Sequence, residues 1–232
     1  MHRRYPAFLK RVAEEWGANK YVHIGDLVDW HSLSFHQRST GAQSAMDEYK
    51  KAKQQVSRLY EMFPKVDWLM GNHDSLTIRQ AQTVGIPPEL IRDQQAIWEV
   101  PKWRVHPRYA SVEIDNVLYT HGEVGRGGQF AAVKQSRDNF QSTVCGHYHA
   151  ESGVWWSANT SNLVFAMSVG TGIDHSKVIF EYGKKFTRKP IVSCGIVVNG
   201  KEAHIIPMPI GRRQGLKQDA CLTQSNPNES RR

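Results

Sequence analysis

A chain of 232 residues with 40% hydrophobic content has the length and apolar fraction for a single domain with a substantial core. No apolar run is long enough to span a bilayer, and Cys145, Cys194 and Cys221 are odd in number and widely spaced, which excludes a disulfide framework and a Cys-x-x-Cys site. The formal charge of +8 fits either simple solubility with a basic tail or attraction to a polyanion such as nucleic acid or a phosphorylated partner.

The start, Met1-His2-Arg3-Arg4, has a leader's positive charge, but no apolar stretch follows. Apolar residues fall instead at Tyr5, Phe8, Leu9, Val12, Ala13 and Trp16, the stripe of an amphipathic helix over 3–17 ending near Gly17. Lys20 to Ile24 reads as a short strand, with Gly25-Asp26 at its exit. A polar loop through Ser39-Thr40-Gly41 leads to a helix over 44–62 that Pro64 stops. Val66 to Met70 is the next strand and runs directly into Gly71-Asn72-His73-Asp74. Pro87-Pro88 favours a helix start, predicting a helix over 87–98. Val112–Ile114 and Val117–Thr120 form a hairpin-like pair around Asp115-Asn116, with His121-Gly122 at its exit. A helix over 128–140 precedes the strand Ser142–Cys145 and then Gly146-His147-Tyr148-His149.

Strand, then motif at the strand's C-terminal end, then helix is how α/β folds bring side chains from several strands to one sheet edge. The second half turns strand-rich at Leu163–Val169, Val178–Tyr182, Ile191–Val198 and Ala203–Pro207, with Asn199-Gly200 a strong hairpin turn. Periodicity ends after Pro209. The expected organisation is therefore one domain over 1–210 and a basic, disordered tail over 211–232, which carries five basic residues against two acidic ones.

The residue types at the strand exits set the chemistry. Oxygen and imidazole donors suit Mn, Fe, Zn or Ni rather than a thiolate-bound structural zinc. The Asp26 carboxylate can bridge two cations about 3.5–4 Å apart. Asn72 offers an amide oxygen, and His121 and His147 offer ring nitrogens. With Asp26 these make four ligands for one ion, while His149, two residues beyond His147, can serve a neighbouring ion. His73 plays a different part. As an imidazolium it can stabilise or protonate a leaving oxygen, with Asp29 placed to hold its charge and tautomer. Asp74 is a second partner for that role, or a structural carboxylate.

The blocks Gly25-Asp26-Leu27-Val28-Asp29, Gly71-Asn72-His73-Asp74, Thr120-His121-Gly122 and Gly146-His147-Tyr148-His149 make the chain similar to the calcineurin-like metallophosphoesterase superfamily over roughly residues 3–207. The resemblance implies a two-sheet α/β/β/α sandwich with the metal site on loops at one sheet edge. It implies two divalent ions, Mn²⁺ first and Fe, Zn or Ni as alternatives. In it Asp26 bridges, Asn72, His121 and His147 complete one ion, His149 helps the other, and His73 with Asp29 acts on the leaving group. The implied reaction is hydrolysis of a phosphomonoester or phosphodiester by a metal-activated hydroxide. Trp30 stands where the family's protein phosphatases carry an arginine, and Asp74 where they carry a glutamate. The chain thus looks more like the small bacterial and phage members.

The family's order opens with Asp-x-His, and no such pair lies upstream of Asp26. Asp29-Trp30-His31 has the spelling but follows Asp26. The expectation is that the first strand and its motif lie outside this chain, leaving the second ion with Asp26 and His149 alone. Arg126, His31 and Tyr148 are candidate substrate contacts; Arg126 precedes a helix whose N-terminus favours anions. Two other functions stay open: a DNA exonuclease or endonuclease of the same superfamily, which would use the basic charge, and a catalytically degenerate binding domain. A reducing cytoplasm is the expected location. His23 reads as a core histidine and Trp155-Trp156 as core or interface; His106, His175 and His204 carry no motif support.

Overall fold

The computed structural model describes residues 1–35, 43–124, 128–174 and 187–210. The strand expected at Val178–Tyr182, the tail over 211–232, Arg126, His175, Cys221 and the loop at Ser39-Thr40-Gly41 lie outside the described residues. The chain is α/β, with helices packed on mixed sheets.

The first helix, α1 (Tyr5–Glu15), starts with Pro6 in its first turn and buries Phe8 and Val12, as the apolar spacing requires. Strand β1 (Val22–His23) follows, then α2 (Ala45–Met62), whose Ser44 cap accepts the Asp47 N–H at 3.2 Å. Its buried Val56 and Leu59 lie one face along from the half-buried Tyr49 and Ala52. Strand β2 (Asp67–Leu69) pairs parallel with β1, and strand β3 (Arg104–His106) pairs parallel with β2. Between β2 and β3 lie two helices, α3 (Leu76–Thr83) and α4 (Gln94–Trp98).

The helix expected over 87–98 is broken. Pro88–Leu90 makes one 3-10 turn, Ile91 and Asp93 are extended, and only Gln94–Trp98 is α-helical. The intervening Arg92-Asp93 offers no apolar side chain to bury, whereas Trp98 is fully buried and anchors the last turn.

Strands β4 (Ser111–Ile114) and β5 (Val117–Thr120) form the expected hairpin, with Asp115 and Asn116 both at positive φ, the requirement of a two-residue type I′ turn. A 3-10 turn at Gly128–Phe130 leads into α5 (Ala131–Asn139), followed by β6 (Ser142–Cys145), β7 (Ser152–Ala158) and β8 (Leu163–Val169). These make a five-stranded mixed sheet in the order β4-β5-β6-β8-β7. All four β6 residues are buried, because both faces of the sheet are covered there. Val144 faces Phe165 and Met167 on one side, and Cys145 faces Ala132 of α5 on the other.

Strands β9 (Ser193–Val198) and β10 (Glu202–Pro207) form a hairpin whose turn places Asn199 and Gly200 at positive φ. One face of this hairpin, through Cys194, Ile196 and Ile206, packs on Phe8 and Val12 of α1; the other, through Val197, Ala203 and Ile205, packs on Val144 and Met167. Among the described residues the hairpin forms its own sheet, joined to the rest only by a bridge between Thr171 and Val192. Two sheets were expected; among the described residues the strands form three hydrogen-bonded sheets, of three, five and two strands. No helix among the described residues is long and apolar enough to cross a membrane.

Candidate metal centre

Asp26 and His121 sit a few residues at most past the ends of β1 and β5, and His147 lies just past β6. Glycine sits close to each of the three, and two of those glycines are there because nothing larger fits. A Cβ on Gly71 would lie 2.2 Å from Asp26 Oδ1 and 2.6 Å from His121 Cε1, and one on Gly25 would lie 2.4 Å from His121 Nδ1. The carboxylate and the imidazole thus converge over bare backbone. Asp26 and His147 both adopt positive φ, at 52° and 65°. Left-handed backbone at two non-glycine residues facing one point is the kind of strain that clusters at functional sites.

The donor atoms of Asp26, His121 and His147 all lie within 4.8 Å of one another. His121 Nε2 lies 3.1 Å from Asn72 Oδ1, 3.1 Å from His147 Nδ1 and 3.4 Å from Asp26 Oδ2. Ligands about 2.1 Å from one ion are separated by roughly 3.0–3.4 Å, so this spacing fits a common cation.

The tautomer strengthens that fit. His121 Nδ1 lies 2.7 Å from the Ile24 carbonyl, which can only accept, so Nδ1 carries the proton. In the neutral ring, Nε2 then presents a lone pair to an amide oxygen, a carboxylate oxygen and a second imidazole. Such a gathering of electron pairs in a site where His121 is 4% exposed needs a cation at its centre, either a proton or a metal. Donation of the second ring N–H to a backbone carbonyl is also how metal-bound histidines are usually oriented.

Electrostatics points the same way. Burial pushes the Asp26 carboxyl up, but contact with His121 and the charges of His121 and His73 outweigh it and hold the carboxyl well below the usual range. His121 is raised, because its contacts with Asp26 overcome the cost of burying its charge. Burial, helped by the positive charge of His121, takes His147 down to about 4 and also lowers His149. At neutral pH the site therefore holds an ionised carboxylate with neutral His147 and His149, and a cation can take the place of the proton that Asp26 draws onto His121.

His149 is not part of the compact group. It lines the same cavity and feels the charges of Asp26 and Asp29, and its carbonyl accepts the Ile191 N–H at 2.8 Å. His73 faces that cavity too. Its backbone N–H donates to Asp26 Oδ1 at 2.9 Å, and its Nδ1 lies 2.6 Å from the Asp29 carbonyl and 3.2 Å from the Asp29 carboxylate. Burial works against the charged ring, but these Asp29 contacts and the charge of Asp26 raise His73 to about 9.

Asp74 is a structural carboxylate. It is 1% exposed and accepts from the Gly71 N–H at 2.9 Å, the Trp68 indole N–H at 3.2 Å and the Val28 N–H at 3.3 Å. One carboxylate thus ties the loops carrying Asp26 and Asn72 to β2. Tyr148 lines the cavity and packs edge-on against His147, with ring centroids 4.7 Å apart. His31 is buried in a 3-10 turn, 5% exposed, and is not among the residues lining that cavity. His23 accepts the Gly25 N–H at 3.2 Å, and burial lowers it to about 4, a neutral ring beneath the site.

Two partners were not legible beforehand. Glu123 is gripped through both carboxylate oxygens by Arg108, and its charge reaches His147. Its position two residues after His121 was the only hint. The Ile24 carbonyl that orients His121 is backbone and leaves no trace in residue identity.

No protein-family model matches this chain, and no curated protein matches its sequence.

Proposed function

We propose that this chain is a metal-dependent phosphoesterase, a hydrolase of phosphomonoesters or phosphodiesters of the calcineurin-like metallophosphoesterase type. The single observation that carries the reading is the convergence of Asp26, Asn72, His121 and His147, from four separate segments, on one point at donor spacings of 3.1–3.4 Å. Support also comes from the packing order, in which α5 covers one face of the five-stranded sheet and the β9–β10 hairpin, itself covered by α1, lies on the other. That order suits an α/β/β/α sandwich.

Asp26, Asn72, His121 and His147 would hold one divalent ion, Mn²⁺ first on chemical grounds, and Asp26 with His149 would contribute to a second. A cation there lowers the pKa of a bound water toward neutrality and offsets charge on phosphate oxygens. The chain's own residues do the rest. His73, held as an imidazolium by Asp29, places a proton donor beside the ligand set and can protonate the departing oxygen. Asp29 fixes that ring by both its carbonyl and its carboxylate. Tyr148 shapes the cavity wall. The free thiols of Cys145 and Cys194 suit a reducing cytoplasm.

A specific observation also favours a second reading, a degenerate domain binding one ion: His149 stands outside the compact ligand group. Hydrolysis of p-nitrophenyl phosphate and bis-p-nitrophenyl phosphate with added Mn²⁺ separates the two. For a phosphoesterase, hydrolysis requires Mn²⁺ and falls about 10²–10⁴-fold in His73→Ala while Mn²⁺ binding persists. Silence on both substrates with Mn²⁺ bound would sink the enzyme reading and leave the binding domain.

A further inference from the structure

The segment Ser32-Leu33-Ser34-Phe35 continues the loop that carries Asp26 and Asp29, and two helices hold it in place. The Ser32 N–H and hydroxyl both donate to the Glu48 carboxylate of α2, at 3.0 and 2.5 Å, and the Gln80 side-chain N–H of α3 donates to the Leu33 carbonyl at 2.6 Å. Trp30 and His31, just before it, are buried. This braced loop nevertheless ends in a phenylalanine that is 52% exposed.

A single exposed apolar side chain needs no explanation. Phe35 differs because a charged group lies over it: the Arg79 guanidinium carbon is 4.9 Å from the ring centroid, inside cation–π range. The same guanidinium reaches the Asn72 carbonyl, with Nη1 at 3.5 Å. Arg79 lies on α3, which begins just after Gly71-Asn72-His73-Asp74, and its side chain folds back toward the N-terminal end of that helix. One side chain thus spans from the backbone of a candidate metal ligand to an aromatic ring. Asn72, His73, Arg79 and Phe35 all line the cavity of the metal centre.

These parts match one kind of ligand. The ring offers a flat apolar face, and the guanidinium adds positive charge and in-plane N–H donors beside the residue that precedes His73. An aromatic face with an arginine against it is how planar bases are held. We propose that Phe35 and Arg79 form the leaving-group subsite of this centre, and that the leaving group is a nucleoside, its base stacked on Phe35 and its phosphate beside Arg79. The assignment to the leaving group rests on the phosphoesterase reading, in which His73 protonates that group; the stacking contact stands without it. In that reaction a hydroxide oxygen bonds to phosphorus as the P–O bond to the nucleoside breaks. The electron pair of that bond stays on the nucleoside oxygen, which takes the His73 proton.

The probes are adenosine 5′-monophosphate and ribose 5-phosphate, which share sugar and phosphate and differ by the base. Calorimetric titration of the full chain in EDTA should show adenosine monophosphate binding about 5–150-fold more tightly. Phe35→Leu should abolish that difference and leave ribose 5-phosphate binding in place, whereas Phe35→Trp should retain it. Because Phe35 is half exposed, Phe35→Leu should keep its Tm within about 2 °C of the unmodified chain. Arg79→Met should weaken both ligands together, by at least about threefold. Equal affinity of the two ligands, absence of binding by either, or a preference that survives Phe35→Leu would overturn the proposal. Mn²⁺-supported hydrolysis of p-nitrophenyl phosphate by a chain without that preference would remove the subsite and keep the phosphoesterase. A chain that prefers adenosine monophosphate but hydrolyses no phosphate ester with Mn²⁺ would keep the stacking contact and overturn the leaving-group assignment together with the phosphoesterase reading.

Discussion

Replacing Gly71 by alanine isolates the metal centre from the rest of the fold. Gly71 does not occupy the left-handed region, so alanine meets no backbone penalty there. The added methyl would lie 2.2 Å from Asp26 Oδ1, 2.6 Å from His121 Cε1 and 2.7 Å from the Asp26 backbone nitrogen. Real Cβ contacts stay above 3.0 Å, so the carboxylate must retreat by about 0.8 Å and the imidazole by about 0.4 Å. Metal–ligand distances tolerate about 0.2 Å. Two ligands are therefore displaced at once, and Mn²⁺ affinity should fall at least about 100-fold, the upper range for losing even an orienting partner. Overpacking of this kind costs about 1–3 kcal/mol, a drop in Tm of roughly 3–10 °C. Gly85→Ala is the matched control. Gly85 has positive φ and nothing within 4 Å of an added Cβ, so it should lose a similar about 1–2 kcal/mol without touching the metal. Isothermal titration with Mn²⁺ and calorimetric melting of both variants give the comparison. A folded Gly71→Ala protein binding Mn²⁺ within about threefold of the unmodified chain would refute the argument that close packing over bare backbone builds this site.

Two further outcomes follow from the polar network. Asp74→Ala strands the buried N–H groups of Gly71, Trp68 and Val28, each worth about 1–3 kcal/mol when unsatisfied, and should lower stability by about 3 kcal/mol or more in urea unfolding; a loss below about 1 kcal/mol would show that the carboxylate is dispensable. His73 is raised from its ordinary value of 6.5 to about 9, so its stabilising contribution is complete below pH 6.5 and is lost as pH rises through 9. Part of the interaction is screened because Asp29 is half exposed, which leaves about 1–2 kcal/mol of stability to disappear between about pH 6.5 and 9.5 in metal-free protein. Asp29→Asn should flatten that decline, and an unchanged slope would remove Asp29 as the group that holds the proton.

The candidate ligand set was readable as a set because each member follows a short apolar run and stands close to a glycine, and local pattern suffices for both. Asp26, Asn72, His121 and His147 come together in space as their positions after β1, β2, β5 and β6 imply. The pairing of His73 with Asp29 was likewise legible from proximity in the motifs. His149 was not separable from His147 on spacing alone. Two residues of separation do not say whether a side chain joins a cluster when His147 itself sits at positive φ and redirects the chain. Asp74 carried two readings until its three buried donors were seen, since the same Gly-Asn-His-Asp block accommodates either. The helix expected over 87–98 failed because a proline start does not substitute for an apolar stripe, and α3 was missed because Leu76 is its single buried residue.

Residue order by itself determined the α/β alternation, the hairpin turns at Asp115-Asn116 and Asn199-Gly200 and the chemical identity of the candidate ligands. These depend on backbone preference and side-chain type over a few neighbouring positions. Tertiary structure alone decided the tautomer of His121, set by the Ile24 carbonyl, and, among the described residues, the division of the strands into three hydrogen-bonded sheets. Both depend on which backbone groups meet across distances in sequence of 97 residues and more, and every residue carries the same backbone groups whatever its side chain.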